Sequence, residues 1–532
     1  MIDTSYEWKE AHRQKILPET FVEITMTVDE DITGYNALLT QWNPGNFRNA
    51  KGILHNRNVR APMFYATLEY NLWTLDGTRQ ILPDAPETTP SDTYWTDDYY
   101  NNTGWVSHSN SGSVEVVFNK QRSRTPGLTI TWSSEYNEYP KSFTVTLYDG
   151  GVETYSVTVT GNNSNVSVIQ DALVGYDSIR IKINDWIAMN HRRRIDQIFF
   201  GQIMTMDKTD IISYEHEQSG DLLSAALPKN SITFSLNNTD GRWNPNNPSG
   251  LGKYLAERQR LSVRYGMDID GVTEWISGGT FYLSEWNAPS NGLEAKFVAR
   301  DVFEFFLNTP PDTYVGLTLA EVVTRLVTQS GLPNTVWVYA DSSISETVWV
   351  FDDELGMAEN IQMIANQHRC VFWQDRAGDI HIVPLDTTIT SYPMELEFAY
   401  SHPEITLSKP LAQVRVTYSG TTDSDDDGVP DEKIYDFYTS TSGEIQTVKN
   451  MRIDNLADAS ELANWVYDTL VSRKTVSGEF RADPRLDVFD IVEIESKYGT
   501  ITPVAITNIK YTYNGCFRGT YEGRVITIPE EE

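Results

Sequence analysis

The chain is 532 residues long, enough for three or four domains, and carries 74 acidic against 42 basic residues for a formal net charge of −32. Nucleic acid and anionic membrane surfaces repel such a polyanion, so non-specific binding to either is excluded, whereas a DNA passage that must not stick is not. No run reaches the ~18 apolar residues of a membrane-spanning helix, and the N-terminus, MIDTSYEWKEAHRQK, lacks the apolar core of a signal peptide.

Aromatic residues make up 12% of the chain, which fits a folded, largely β protein. Cys370 and Cys516 lie far apart without metal-ligand spacing and read as two buried free thiols of a protein made in a reducing cytoplasm. Residues 1–63 hold one good strand, ETFVEITMTVDED, in which Phe21, Val22, Ile24, Met26 and Val28 roughly alternate. The segment is too small for its own core and is expected to complete a first barrel. From 64 to 201 short strands recur at regular spacing: SVEVVFN, GLTITWS, KSFTVTLYD, ETYSVTVTG, VSVIQDA, SIRIKIND and IDQIFFG. That spacing is the signature of an antiparallel β-sandwich or jelly roll.

The run GLTITWSSEYNEYPKSFTVTLYDGG, with YDSIRIKINDW and RRRIDQIFFG after it, resembles the galactose-binding-like jelly rolls of tail proteins from phages of Gram-positive bacteria. The resemblance implies a module inserted into a surface loop and capable of binding sugar through loops at one end. The carbohydrate-binding candidates are Trp95, Trp105, Tyr136, Tyr139, Trp186, Arg192 and Arg193, with Tyr94, Trp132, His191 and Arg194 beside them. An aromatic face stacks on a pyranose ring while arginine fixes its hydroxyls. The same residues also suit another role, tryptophans packing a sandwich core and arginines covering acidic neighbours.

Residues 202–310 return to barrel-like strands. In NSITFSLN, Ile232, Phe234 and Leu236 face one way and Ser231, Thr233 and Ser235 the other. A turn-rich loop from Asn237 to Gly252 follows, then LSVRYGMD, WISGGTFYLSEW and LEAKFVARD, separated by Asp-Gly and Pro-Ser-Asn-Gly turns. Residues 311–386 change period. LTLAEVVTRLVTQSG places Leu319, Val322, Val323, Leu326 and Val327 on one helical face, with Thr318 and Glu321 as a capping box and Gly331 as a stop. A second helix, GMAENIQMIANQHR, leads into a hairpin, CVFWQDRAGDIHIVPL, that turns at Arg376-Ala377-Gly378. Residues 387–532 supply further strands and a helix over 456–474, with Leu462, Val466 and Leu470 as its buried stripe.

The unit MAENIQMIANQHRCVFWQDRAGDIHIVPL is similar to that of tail hub proteins, the family of the contractile-phage baseplate hub and late control protein D. The end of the chain, with DIVEIES and PVAITNIKYTY turning at Lys497-Tyr498-Gly499, resembles the closing barrel of that family. What the resemblance implies is a fold mainly β with a smaller α+β domain: two barrel-like hub domains and an inserted β-sandwich (jelly roll). It further implies a homotrimer whose two barrels per chain make a pseudo-sixfold ring between tail tube and tip or fibre proteins. The virion's distal tail is the expected location and transient passage of DNA the expected traffic, with a host cell-surface glycan as a further possible partner.

One loop has ligand-like spacing. Asp423, Asp425, Asp427 and Asp431, with Gly428 at the turn and the Val429 carbonyl, match the start of a calcium loop, although Ile434 stands where a bidentate glutamate is expected. Calcium is the one cofactor indicated, and a solvated acidic hairpin tip is the alternative. No phosphate-binding, zinc-protease or serine-hydrolase motif occurs, so the chain reads as a non-enzyme. The competing function is a carbohydrate-binding or glycan-degrading host-surface protein.

Overall fold

The structure, a computed structural model, describes residues 2–14, 17–29, 37–41, 47–48, 94–101, 104–106, 113–133, 136–170, 173–189, 191–247, 250–289, 292–306, 313–330, 336–352, 355–387, 394–420 and 431–526. The chain divides into two compact units. The first comprises Met1–Thr25, Thr205–Gly250 and Ala256–Glu532; the second comprises Met26–Met204 and Leu251–Leu255. Strands dominate and four helices occur among the described residues: α1 (Tyr6–His12), α2 (Leu319–Gln329), α3 (Met357–Gln367) and α4 (Leu456–Leu470). The fold is mainly β with a smaller α+β part.

One twelve-stranded sheet holds most of its strands in the first unit, while Gly201–Met206 and Thr20–Asp29 run across the chain division at Met204 and Thr25. Its path is Gly201–Met206, Thr20–Asp29, Arg260–Ile269, Val272–Asn287, Glu294–Arg300, Lys229–Asn237, Ile211–Ser219, Ile501–Tyr513, Phe517–Val525, Lys474–Phe480 and Glu404–Leu407, with Ile491–Glu495 also on Ile501–Tyr513. Strands assigned from sequence to two barrels are thus hydrogen-bonded neighbours, because Ile211–Ser219 pairs antiparallel with Ile501–Tyr513 from Tyr214↔Tyr513 to Ser219↔Asn508. The alternation in NSITFSLN holds: Ile232, Phe234 and Leu236 are fully buried. Asp270 and Gly271 both take positive φ, 53° and 85°, between the paired residues Ile269 and Val272. That is the twist-matched two-residue hairpin turn, and Gly271 supplies the left-handed conformation at no steric cost.

The capping box of α2 is present, with the Thr318 hydroxyl accepting from the Glu321 N–H and the Glu321 carboxylate accepting from the Thr318 N–H. All five apolar residues expected on its inner face are buried. Together α2 and α3 enclose a core with Trp349, Cys370, Phe372, Ile380 and Ile382, beside the three-stranded sheet Val338–Ala340, Ile380–Val383, Val371–Gln374. Two expectations need correction here, and one element was unforeseen. The last helix, α4, ends at Leu470 rather than 474, since Arg473 turns to φ 55° and Lys474 opens a strand. The short helix α1, capped by Ser5 and anchored by the fully buried Trp8, has no counterpart in the sequence reading. Cys370 is buried as expected, whereas Cys516 is exposed, in the turn between Ile501–Tyr513 and Phe517–Val525.

Two antiparallel sheets share one core in the second unit. The first orders Ala37–Gln41, Ser113–Thr125, Leu173–Asp185, Ser142–Asp149 and Val152–Thr160; the other orders Val166–Ile169, Leu128–Thr131 and Gln197–Phe199. Their common core includes Val116, Phe118, Ile130, Phe143, Ile181 and Ile198. A smaller sheet joins His191–Ile195, Tyr94–Asn101, Phe47–Arg48 and Gly104–Val106. Residues 37–41, expected in the segment completing the first barrel, instead pair with Ser113–Thr125 through Leu39↔Val116. The run YATLEYNLWTLDG, at 65–77, lies outside the described residues.

Candidate functional site

In the second unit the expected sugar-binding residues separate into two groups. Trp132 and Trp186 are fully buried, edge to face with ring centroids 6.4 Å apart. The Trp132 indole N–H donates to Ser167 Oγ at 2.8 Å and that of Trp186 to Glu138 Oε2 at 3.0 Å. The other Glu138 oxygen meets His191 Nδ1. Arg193 is buried and Arg194 nearly so, the latter with its guanidinium 4.9 Å from the Tyr136 ring centre, and Tyr139 packs against the core. Trp186 and Arg193 are therefore core residues, not ligand-stacking ones: an indole whose whole surface and only donor are consumed internally has nothing to offer a sugar. Trp95 pairs with Arg194 across the small sheet, and Trp105 lies opposite Tyr100. The side chains of Trp95, Trp105 and Arg192 are outside the described set.

Of the calcium candidates, Asp423, Asp425, Asp427 and Val429 lie outside the described residues, and Asp431 stands just before the strand Glu432–Tyr438. Among the described residues no cluster of three or more His, Cys, Asp or Glu is placed to hold a metal.

A further assembly of buried polar groups is one the sequence did not announce. It lies in the first unit, under the pairing of Ile211–Ser219 with Ile501–Tyr513. His216 is fully buried, its Nε2 2.8 Å from Asn230 Oδ1 and its Nδ1 2.7 Å from the Tyr265 hydroxyl, which is 2.8 Å from that of Tyr214. Burial, reinforced by Arg376, pushes the His216 pKa down to about 3, so the ring is neutral: Nε2–H donates and Nδ1 accepts. Arg376, from the α+β hairpin, donates to the carbonyls of Pro484, Leu486 and Ser277 and faces Asp487 at 3.4 Å. The Tyr511 hydroxyl lies 2.9 and 2.8 Å from the carbonyls of Asp483 and Leu486, its single proton shared between the two. Arg485 forks onto Asp483, with Nη2 2.6 Å from Oδ2 and Nε 2.9 Å from Oδ1. Burial alone would raise the Asp483 pKa, but His12 and Arg485 outweigh it and hold it below the ordinary carboxylate value. Each of these side chains has at least one protein partner, while Asn230 Nδ2 and Arg376 Nε have no hydrogen-bond partner. The network ties the α+β hairpin to the sheet, and buried polar networks of this kind rigidify a core.

The far end of the sheet differs. All four residues of Glu404–Leu407 are exposed. Among the described residues the strand pairs on one side only, with Lys474–Phe480. Ile405 stands opposite Val476, which is buried, yet is itself 53% exposed, and Leu407 is 60% exposed. The apolar face of the sheet thus runs on into an uncovered edge.

Neither a family model nor a curated protein matches this chain. Solved structures similar to it include the 43 kDa tail protein of prophage MuSo2 from Shewanella oneidensis, at 11% identity and TM-score 0.41, covering 61% of this chain and 95% of that one. A tail protein from Neisseria meningitidis MC58 is 12% identical with TM-score 0.40, covering 72% of this chain and 96% of that one. Prophage tail protein gp18 from Listeria monocytogenes EGD-e is 13% identical with TM-score 0.37, covering 60% and 91%. All three are described as tail proteins.

Proposed function

We propose that this protein is a structural hub of a phage tail or tail-like particle. It assembles as a homotrimeric ring at the distal end of the tail tube, joins the tube to tip and host-recognition proteins, and leaves a channel for DNA. The observation that carries the reading is the open edge Glu404–Leu407 of a sheet that otherwise spans the first unit. An exposed edge with apolar residues on its core-facing side is a template for another chain, and pairing it with one in an assembly covers it. A closed ring removes the edge. The hub-like pattern at 357–385 and 486–526 supports the same reading, as does the net charge of −32, which would keep a carboxylate-rich channel from retaining DNA.

The test is the solution mass of the full chain by light scattering, beside the double variant Ile405→Lys, Leu407→Lys. A trimer in the parent and a folded monomer in the variant are expected. A parent that stays monomeric at high concentration and on isolated tail tubes would overturn the proposal.

A further inference from the structure

Away from the sheet edge, the α+β part of the first unit presents an aromatic stack beside two carboxylates. Val336, Val338 and Ala340 turn into the core beneath α2. The alternation of an extended chain therefore sends Trp337 and Tyr339 outward, where they are 71% and 50% exposed. Across the sheet Tyr339 stands opposite His381, and His381 opposite Trp373. The three rings stack, with Tyr339 and His381 centroids 4.9 Å apart at 18° and Trp373 and His381 4.6 Å apart at 14°. Phe489 closes one end, edge-on to Trp373 at 5.3 Å. At the other end is Tyr339, on a strand that among the described residues pairs with a single neighbour, and half of its surface is exposed.

The carboxylates lie at the foot of this stack. Asp375 Oδ2 is 2.9 Å from His381 Nε2, and its Oδ1 accepts from the N–H groups of Ala377 and Asp379. Asp379 Oδ1 accepts from the Trp337 N–H at 3.0 Å. Among the described residues no lysine or arginine forms an ion pair with either carboxylate. Burial, with Asp375 adding to it, raises the Asp379 pKa.

We propose that Trp337, Tyr339 and Asp379 form a binding site for a guanidinium group, an arginine side chain of a partner chain. It would stack on the exposed ring of Tyr339 and pair with Asp379. A guanidinium is the group that does both at once, being planar, weakly hydrated and able to fork onto a carboxylate. A sugar ring would also stack on Tyr339, but two carboxylates against one imidazole favour a cation over a neutral ring. This site is independent of the edge Glu404–Leu407, and it stands or falls separately from the trimer.

The experiment uses the full chain labelled with 5-fluorotryptophan, with the Trp337 and Trp373 fluorine resonances assigned by Trp→Phe variants. It is titrated with a pentapeptide bearing one central arginine and with the same peptide bearing citrulline, a neutral isostere. The Trp337 resonance is expected to move with the arginine peptide and not with citrulline. Asp379→Asn, which keeps an acceptor for the Trp337 N–H, is expected to weaken binding about fivefold, and Tyr339→Ala comparably. An equal response to citrulline, affinity unchanged in both variants, no response to the arginine peptide, or a response to a neutral oligosaccharide instead would each overturn the proposal.

Discussion

His216 and Asp301 are two buried titratable groups joined through one residue. The His216 ring donates to the Asn230 side chain, and the Asn230 backbone N–H donates to Asp301 Oδ2 at 2.7 Å. Burial depresses the His216 pKa from 6.5 to about 3 and raises that of Asp301 from 3.8 to about 7. The two act with opposite sign. Between those values the unfolded chain holds the extra proton at His216, so this residue costs stability as pH falls from about 6.5 towards about 3. At Asp301 the native state holds the extra proton, so acidification from about 7 towards 3.8 stabilises. Denaturant midpoints between about pH 7 and 4 should therefore fall more steeply with acid in Asp301→Asn than in the parent, and less steeply in His216→Gln. Profiles that shift in parallel in both variants would show that neither group titrates as assigned. Arg376 is the other decisive residue: Arg376→Met strands Asp487 and three carbonyls, at an expected cost of about 3–5 kcal/mol. Arg376→Lys should recover little of it, because an ammonium cannot fork to the carbonyls of Pro484 and Leu486. Urea unfolding of the first unit measures both. None of this was visible in the sequence, where Arg376 looked like a turn residue.

Among the elements, α2 was the most legible, since cap, period and inner face are all local. Thr318→Ala should lower stability by about 1 kcal/mol, read as a shift in thermal midpoint. Neither α1 nor the end of α4 could be read so easily: α1 is two turns long and held by the tertiary burial of Trp8, and α4 stops where a strand begins to pair. The pairing of Ile211–Ser219 with Ile501–Tyr513 makes a different prediction. If the sheet is one cooperative piece, amides of both strands should exchange with deuterium at one common slow rate. Two well-separated rates would mean that the two halves open independently.

For the whole molecule, charge opposes assembly. Every copy brings −32, so association of copies should tighten as salt rises from about 0.01 to 0.15 M and the screening length shortens from about 30 to about 8 Å. Sedimentation over that range checks it, and weaker association at higher salt would point to ion pairs as the principal contacts. The sequence by itself determined the strand-rich class, the faces of NSITFSLN and of α2, the Asp270–Gly271 turn and the hub-like pattern, because these follow from periods and turn chemistry within a few residues. Tertiary structure alone decided that Trp186 and Arg193 are core, that residues 37–41 belong to the second unit's sandwich, that two expected barrels share one sheet, and that Tyr339, His381 and Trp373 stack. Period tells which way a side chain points, but a strand's partner is chosen by how much apolar surface the whole chain can bury at once, a quantity no local window contains.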